Sequence, residues 1–95
     1  MRHAARVDAN QAEIVAALRD AGASVYLIQL PVDLLVGFNG KTALVEVKNP
    51  NSRYGRAGAN ANQASWLEHW KGGTAAVIDS VEAAQRLLKL MGHWQ

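Results

Sequence analysis

Asp33, Glu46 and Lys48 are the residues of this 95-residue chain whose types and spacing could do chemistry together. Glu46 and Lys48 are two positions apart, so on a strand their side chains share a face. Two carboxylates and an ammonium on one patch are the apparatus for metal-assisted attack by water. Carboxylate oxygens suit a hard divalent cation, and a bound cation activates water. That chemistry requires Asp33 to lie beside Glu46, far from it in the chain.

A hairpin would bring them together. Pro31-Val32-Asp33-Leu34-Leu35-Val36-Gly37-Phe38 and Lys41-Thr42-Ala43-Leu44-Val45-Glu46-Val47-Lys48 flank Asn39-Gly40. Asn-Gly between two apolar runs is a strong hairpin signal, because a type I′ turn needs positive φ at both central residues. With those two as the loop, Phe38 faces Lys41. Carried outward, the same register makes Asp33 face Glu46. Directly opposed side chains lie about 5 Å apart at Cβ, where like charges destabilise, and a divalent cation would offset that repulsion.

The other elements follow from periodicity and capping. Residues 8–22 read as a helix, with Asp8 and Gln11 as a capping box, Ile14, Ala17, Leu18 and Ala21 as its apolar stripe, and Gly22 as its stop. Residues 24–30 read as a strand, and Leu30-Pro31 turns into the hairpin. Pro50 ends the second hairpin strand. Residues 49–60, rich in Gly and Asn, form a loop. A helix is expected over 61–71, capped by Asn60 with Gln63 and ended by Gly72-Gly73. Residues 74–79 read as a buried strand. A last helix spans 80–91, capped by Asp79 or Ser80, with Val81, Ala84, Leu87, Leu88 and Met91 inward. The order α-β-β-β-α-β-α contains a crossover over 41–79, which should be parallel and right-handed. The expected fold is one α/β domain over residues 1–95, a mixed central sheet with a helix on each face.

Composition narrows the classes. Ninety-five residues fit one domain with a modest core. No apolar run approaches the roughly 18 residues needed to span a bilayer. Arg2, His3 and Arg6 precede no apolar run of the kind that marks a secretion signal, so a cytoplasmic protein is expected, whether of a bacterium or of a virus in its host cell. The absence of cysteine excludes disulfides, thiol chemistry and Cys-based zinc sites. The net charge is only +2, but it is unevenly spread: Arg2, His3 and Arg6 crowd one end, and Arg53 and Arg56 are the only charges between Lys48 and Glu68. Positive charge beside a carboxylate site suits nucleic acid. His3, His69 and His93 lack metal-ligand spacing, no serine sits in a nucleophile motif, and the glycines of 55–58 lack the lysine and spacing of a nucleotide-binding loop.

With its motif over Pro31-Val32-Asp33 and Glu46-Val47-Lys48, the chain resembles the PD-(D/E)XK nuclease superfamily. It is most similar to the small stand-alone VRR-NUC nucleases, often encoded by viruses. Those proteins also carry an acidic residue in the first helix, here Glu13, and a Gln-x-x-Trp after the motif, here Gln63-Ala64-Ser65-Trp66. The likeness covers nearly the whole chain. One departure is Val32, which separates the proline from Asp33. The resemblance implies an endonuclease that hydrolyses DNA phosphodiester bonds with Mg²⁺ or Mn²⁺ and uses no nucleotide cofactor. Asp33, Glu46 and the Val47 carbonyl would hold the metal. Lys48 would orient the attacking water, Gln63 would hydrogen-bond that lysine or a phosphate, and Glu13 would reach the site either directly, as a further metal ligand, or through a metal-bound water. Branched or flapped DNA, including Holliday junctions, is the expected substrate, and a homodimer would present two sites.

Each role has a plainer counterpart. Asp33 and Glu46 could be solvated strand-end carboxylates, Lys48 a surface lysine paired with Glu46, Glu13 a helix-surface residue and Gln63 a capping residue. Arg53, Arg56, Arg6 and Tyr54 are candidate nucleic-acid contacts, against a solvated loop and terminus. Trp66 and Trp70 suit a core or dimer contact better than base stacking. A non-catalytic nucleic-acid-binding module on the same fold, a partner-binding protein with incidental carboxylates, and a sequence-specific restriction-type nuclease are the alternatives.

Overall fold

The structure, a computed structural model, describes residues 9–49 and 66–93. Helix α1, Ala9–Asp20, is followed by β1, Ser24–Leu27, β2, Leu34–Phe38, and β3, Lys41–Val47. Residues 66–69 are helical and are termed α2. Strand β4, Thr74–Ile78, and helix α3, Val81–His93, complete the chain. The strands form one mixed sheet in the order β1-β2-β3-β4, antiparallel except for the parallel β3–β4 pair. The protein is α/β, with the element order the sequence implies.

The hairpin forms as its turn residues dictate. Asn39 and Gly40 have φ of 55° and 76°, the left-handed conformation a type I′ turn requires. Phe38 pairs with Lys41 and Leu34 with Val45, so the expected register holds along the whole β2–β3 ladder. The turn is anchored to α3, because Asn39 Nδ2 donates to the Met91 carbonyl at 3.3 Å.

Helix α1 ends in a Schellman motif. Gly22 sits at φ 101°, its N–H donates to Arg19, and the Ala23 N–H reaches the Leu18 carbonyl at 3.0 Å. The hydrophobic contact that accompanies this motif is available, since Leu18 and Ala23 are both buried. Ser80 caps α3, its Oγ accepting the Ala83 N–H at 3.0 Å.

Alternation along the strands sends Val25, Leu34, Val36, Ala43, Val45, Val47 and Ile78 to one sheet face. There they pack with Ile14, Val15 and Leu18 of α1 and Ala84, Leu87, Leu88 and Met91 of α3 into one core. Val32 continues this alternation and is fully buried, so the residue that separates Pro31 from Asp33 serves the core. The two long helices also contact each other and therefore share one face. The helix expected on the other face is the crossover helix, most of which lies outside the described residues.

The structure corrects these expectations in particular. Strand β1 stops at Leu27 rather than residue 30, because Gln29 turns to positive φ and the Ile28 and Gln29 amides donate to the Asp33 carbonyl. The Leu30–Pro31 bond within this turn is cis. Helix α2 stops at residue 69, not 71; the Trp70 indole donates to the Gly73 carbonyl at 2.9 Å, which builds the turn into β4. Finally β4 is not a buried strand. It is the last strand of the described sheet, only Ile78 is buried, and Val77 is half exposed. A short apolar run looks alike at the middle and the edge of a sheet.

Candidate active site at the end of the β2–β3 hairpin

Asp33 and Glu46 meet as the register requires. The ladder ends at Leu34–Val45, and Asp33 lies one step beyond. Its carboxylate replaces the missing rung, with Oδ2 accepting the Val47 N–H at 2.8 Å. Its own carbonyl accepts two amides of the preceding turn. Asp33 is thereby fixed through both backbone and side chain. Residues 33, 35, 44, 46 and 48 alternate away from the core, so Asp33, Glu46 and Lys48 share the sheet face opposite α1 and α3.

Glu46 is the unusual residue of the site. It is only 3% exposed, and its Oε1 has no hydrogen-bond partner. Burial first, and then the neighbouring Asp33 charge, push its carboxyl from the ordinary value of 4.5 up to about 7, against the pull of Lys48. Lys48 Nζ lies 3.6 Å from Glu46 Oε2. Directly opposed ionised carboxylates repel one another. A single ammonium at 3.6 Å, partly open to solvent, cannot also meet the desolvation of a buried carboxylate. Once Glu46 ionises, the pair carries negative charge in excess of what the Lys48 ammonium offsets.

That excess suits a hard cation. The orphaned Oε1 is a ready ligand, and a carboxylate that accepts one N–H retains capacity for a metal. The Val47 carbonyl completes the oxygen set. The Lys48 N–H faces β4, donating to the Ile78 carbonyl at 2.8 Å, so alternation turns the Val47 N–H and C=O toward Asp33. The residues present therefore fit Mg²⁺ or Mn²⁺ with two carboxylates, one carbonyl and water. Among the described residues no group of three or more His, Cys, Asp or Glu side chains gathers around a possible metal.

Glu13 is not gathered with them. It is an exposed residue of α1, and α1 packs on the face opposite Asp33 and Glu46. Trp66 and Trp70 stack on each other, with ring centroids 4.9 Å apart. Arg6, Asp8, Arg53, Tyr54, Arg56, Asn60 and Gln63 lie outside the described residues. Sequence reasoning passed over Asn10, whose side chain reaches the carbonyls of Lys48 and Asp79 at 2.7 and 3.2 Å. The available signal was a weak one: Asn is a poor helix former outside a cap, and it stands here beside the buried Gln11.

No helix among the described residues is long and apolar enough to cross a membrane. Compared with protein-family models, with curated proteins and with solved structures, the chain matches none of them.

Proposed function

We propose that this protein is a metal-dependent phosphodiesterase, an endonuclease acting on DNA, built like the PD-(D/E)XK enzymes it resembles. The observation that carries the reading is the buried Glu46 with its orphaned Oε1, set beside Asp33 and 3.6 Å from Lys48. A structural carboxylate is seldom buried without full pairing; one that holds a cation has reason to be.

The bound cation would supply positive charge that acidifies water and balances charge growing on the phosphate. The chain's residues do the rest. Asp33, held by the Val47 amide, and Glu46 present their oxygens from two adjacent strands. Lys48 projects from the same face as Glu46 and orients the attacking water, its ammonium stabilising the transition-state charge. Arg53, Arg56, Arg6 and Tyr54 are proposed to hold the DNA backbone. Gln63 and Glu13 are proposed as assisting groups; Glu13, being exposed on α1, would act through water rather than by direct contact.

Branched, flapped or Holliday-junction DNA is the proposed substrate. Paired cuts need two sites, so a homodimer is proposed. Sedimentation at micromolar concentration should show the dimer, and a monomer there would remove that part of the proposal.

The decisive experiment is cleavage of matched linear, flapped and four-way-junction DNA with Mg²⁺ or Mn²⁺, run beside Glu46→Ala and Lys48→Ala. Cutting by the native chain alone is expected, with losses of about 10³-fold or more for each variant, on the scale of removing a group that stabilises the transition state. A folded protein that binds these DNAs and cuts none would instead be a nucleic-acid-binding module.

A further inference from the structure

The β3–β4 ladder ends where Lys48 leaves the sheet. Val47 pairs with Ile78, and the last rung is the Lys48 N–H to the Ile78 carbonyl at 2.8 Å. Beyond it β4 turns into α3 through the Ser80 cap, so the Lys48 and Asp79 carbonyls have no further strand to pair with. A single side chain takes both. Asn10 Nδ2 donates one hydrogen to the Lys48 carbonyl at 2.7 Å and the other to the Asp79 carbonyl at 3.2 Å. The orientation is dictated by these acceptors: turning the amide over would set Oδ1 against two carbonyl oxygens. Oδ1 remains buried without a partner, so the arrangement is kept despite leaving one polar atom unsatisfied.

We infer that Asn10 is a positioning residue for Lys48: its carboxamide closes the open end of the parallel ladder and so fixes the backbone from which the Lys48 side chain projects toward Glu46. The inference rests on the nuclease reading for its kinetic consequence and on the two hydrogen bonds alone for its structural one. It also gives α1 a direct contact with the backbone of the site, since the first turn of the helix is pinned across the ends of both parallel strands. Asn10 touches the main chain of Lys48 rather than any reacting atom. Its removal therefore shifts the aim of the ammonium and leaves the two carboxylate ligands in place. Misplacements near 1 Å can cost on the order of 100-fold in rate.

The test joins amide hydrogen exchange with kinetics on the full chain. In Asn10→Ala, exchange of the Lys48 amide should quicken at least tenfold while the amides of the β2–β3 hairpin keep their native rates. Cleavage kcat should fall roughly 10- to 100-fold at unchanged KM, and the same substitution in Lys48→Ala should cost nothing further, as expected of two residues acting through one group. Asn10→Gln, which keeps the two donors on a longer stem, should recover part of both losses; if Asn10→Ala does not fold, Asn10→Ser, whose hydroxyl carries a single hydrogen and does not bridge both carbonyls, takes its place in the exchange measurement. Native exchange at Lys48 in the substituted protein overturns the inference, as does a loss that multiplies with that of Lys48→Ala. Quickened exchange in a protein whose native form cuts no DNA would leave the positioning role standing and remove the nuclease reading instead.

Discussion

Glu46 ties the chemistry of the site to the stability of the protein. In the folded chain its carboxyl keeps a proton up to about pH 7, while the ordinary value is 4.5. Between those limits the native state binds more protons than the unfolded state, so stability falls as pH rises. The contribution is whole below pH 4.5 and is lost as pH passes through 7. A shift of that size corresponds to something on the order of 3 kcal/mol. Glu46→Gln, which mimics the protonated form, should match the native protein near pH 4.5. At pH 8 without divalent cations it should be more stable, by about 1–3 kcal/mol. Urea titrations at the two pH values would check this. Parallel pH profiles for the two proteins would mean that Glu46 ionises as an ordinary surface carboxylate.

At the scale of elements, two glycines separate conformational cost from steric cost. Gly22 holds φ 101° at the end of α1, and an added Cβ would meet nothing within 4 Å. Gly22→Ala should therefore lose only the backbone preference, about 1–3 kcal/mol, read as a lower urea midpoint at an unchanged slope. At Gly72 an added Cβ would strike the Trp70 indole, which is stacked on Trp66 and hydrogen-bonded to Gly73. Gly72→Ala should displace that ring, changing the near-ultraviolet dichroism of the tryptophan pair, a signal Gly22→Ala leaves alone. These elements also mark what the sequence makes legible. The hairpin register, and with it the meeting of Asp33 and Glu46, follows from Asn39-Gly40 because few other residues populate that turn. The α1 stop and the α3 cap are equally local. The early end of β1 arises from the Ile28 and Gln29 amides turning to the Asp33 carbonyl, a contact no local preference encodes. The exposure of β4 depends on its place in the strand order. Asn10 acquires meaning only because a ladder ends 38 residues away, so pattern alone cannot set it apart from a solvent-facing helix residue.

Across the whole molecule, the proposed cation site spans the segments that folding must join. Asp33 lies just before β2, and Glu46 with the Val47 carbonyl lies at the end of β3. The unfolded chain has no such site, so cation binding adds to folding free energy. At a Mn²⁺ concentration 100 times Kd the gain is about 2.7 kcal/mol. For a domain of this size each kcal/mol moves Tm by about 4–8 °C, so a rise of roughly 10–20 °C is expected. Protons compete for Glu46, whose carboxyl stays protonated up to about pH 7, so the rise should be large at pH 8 and small at pH 5.5. Glu46→Gln should abolish most of it at either pH. Thermal scans with and without Mn²⁺ therefore test the site without requiring the correct DNA. A Tm at pH 8 that millimolar Mn²⁺ does not move would remove the metal from the mechanism and leave Asp33 and Glu46 as a strained carboxylate pair. A rise that follows the ionisation of Glu46 would join the burial of one side chain to the energetics of the entire fold.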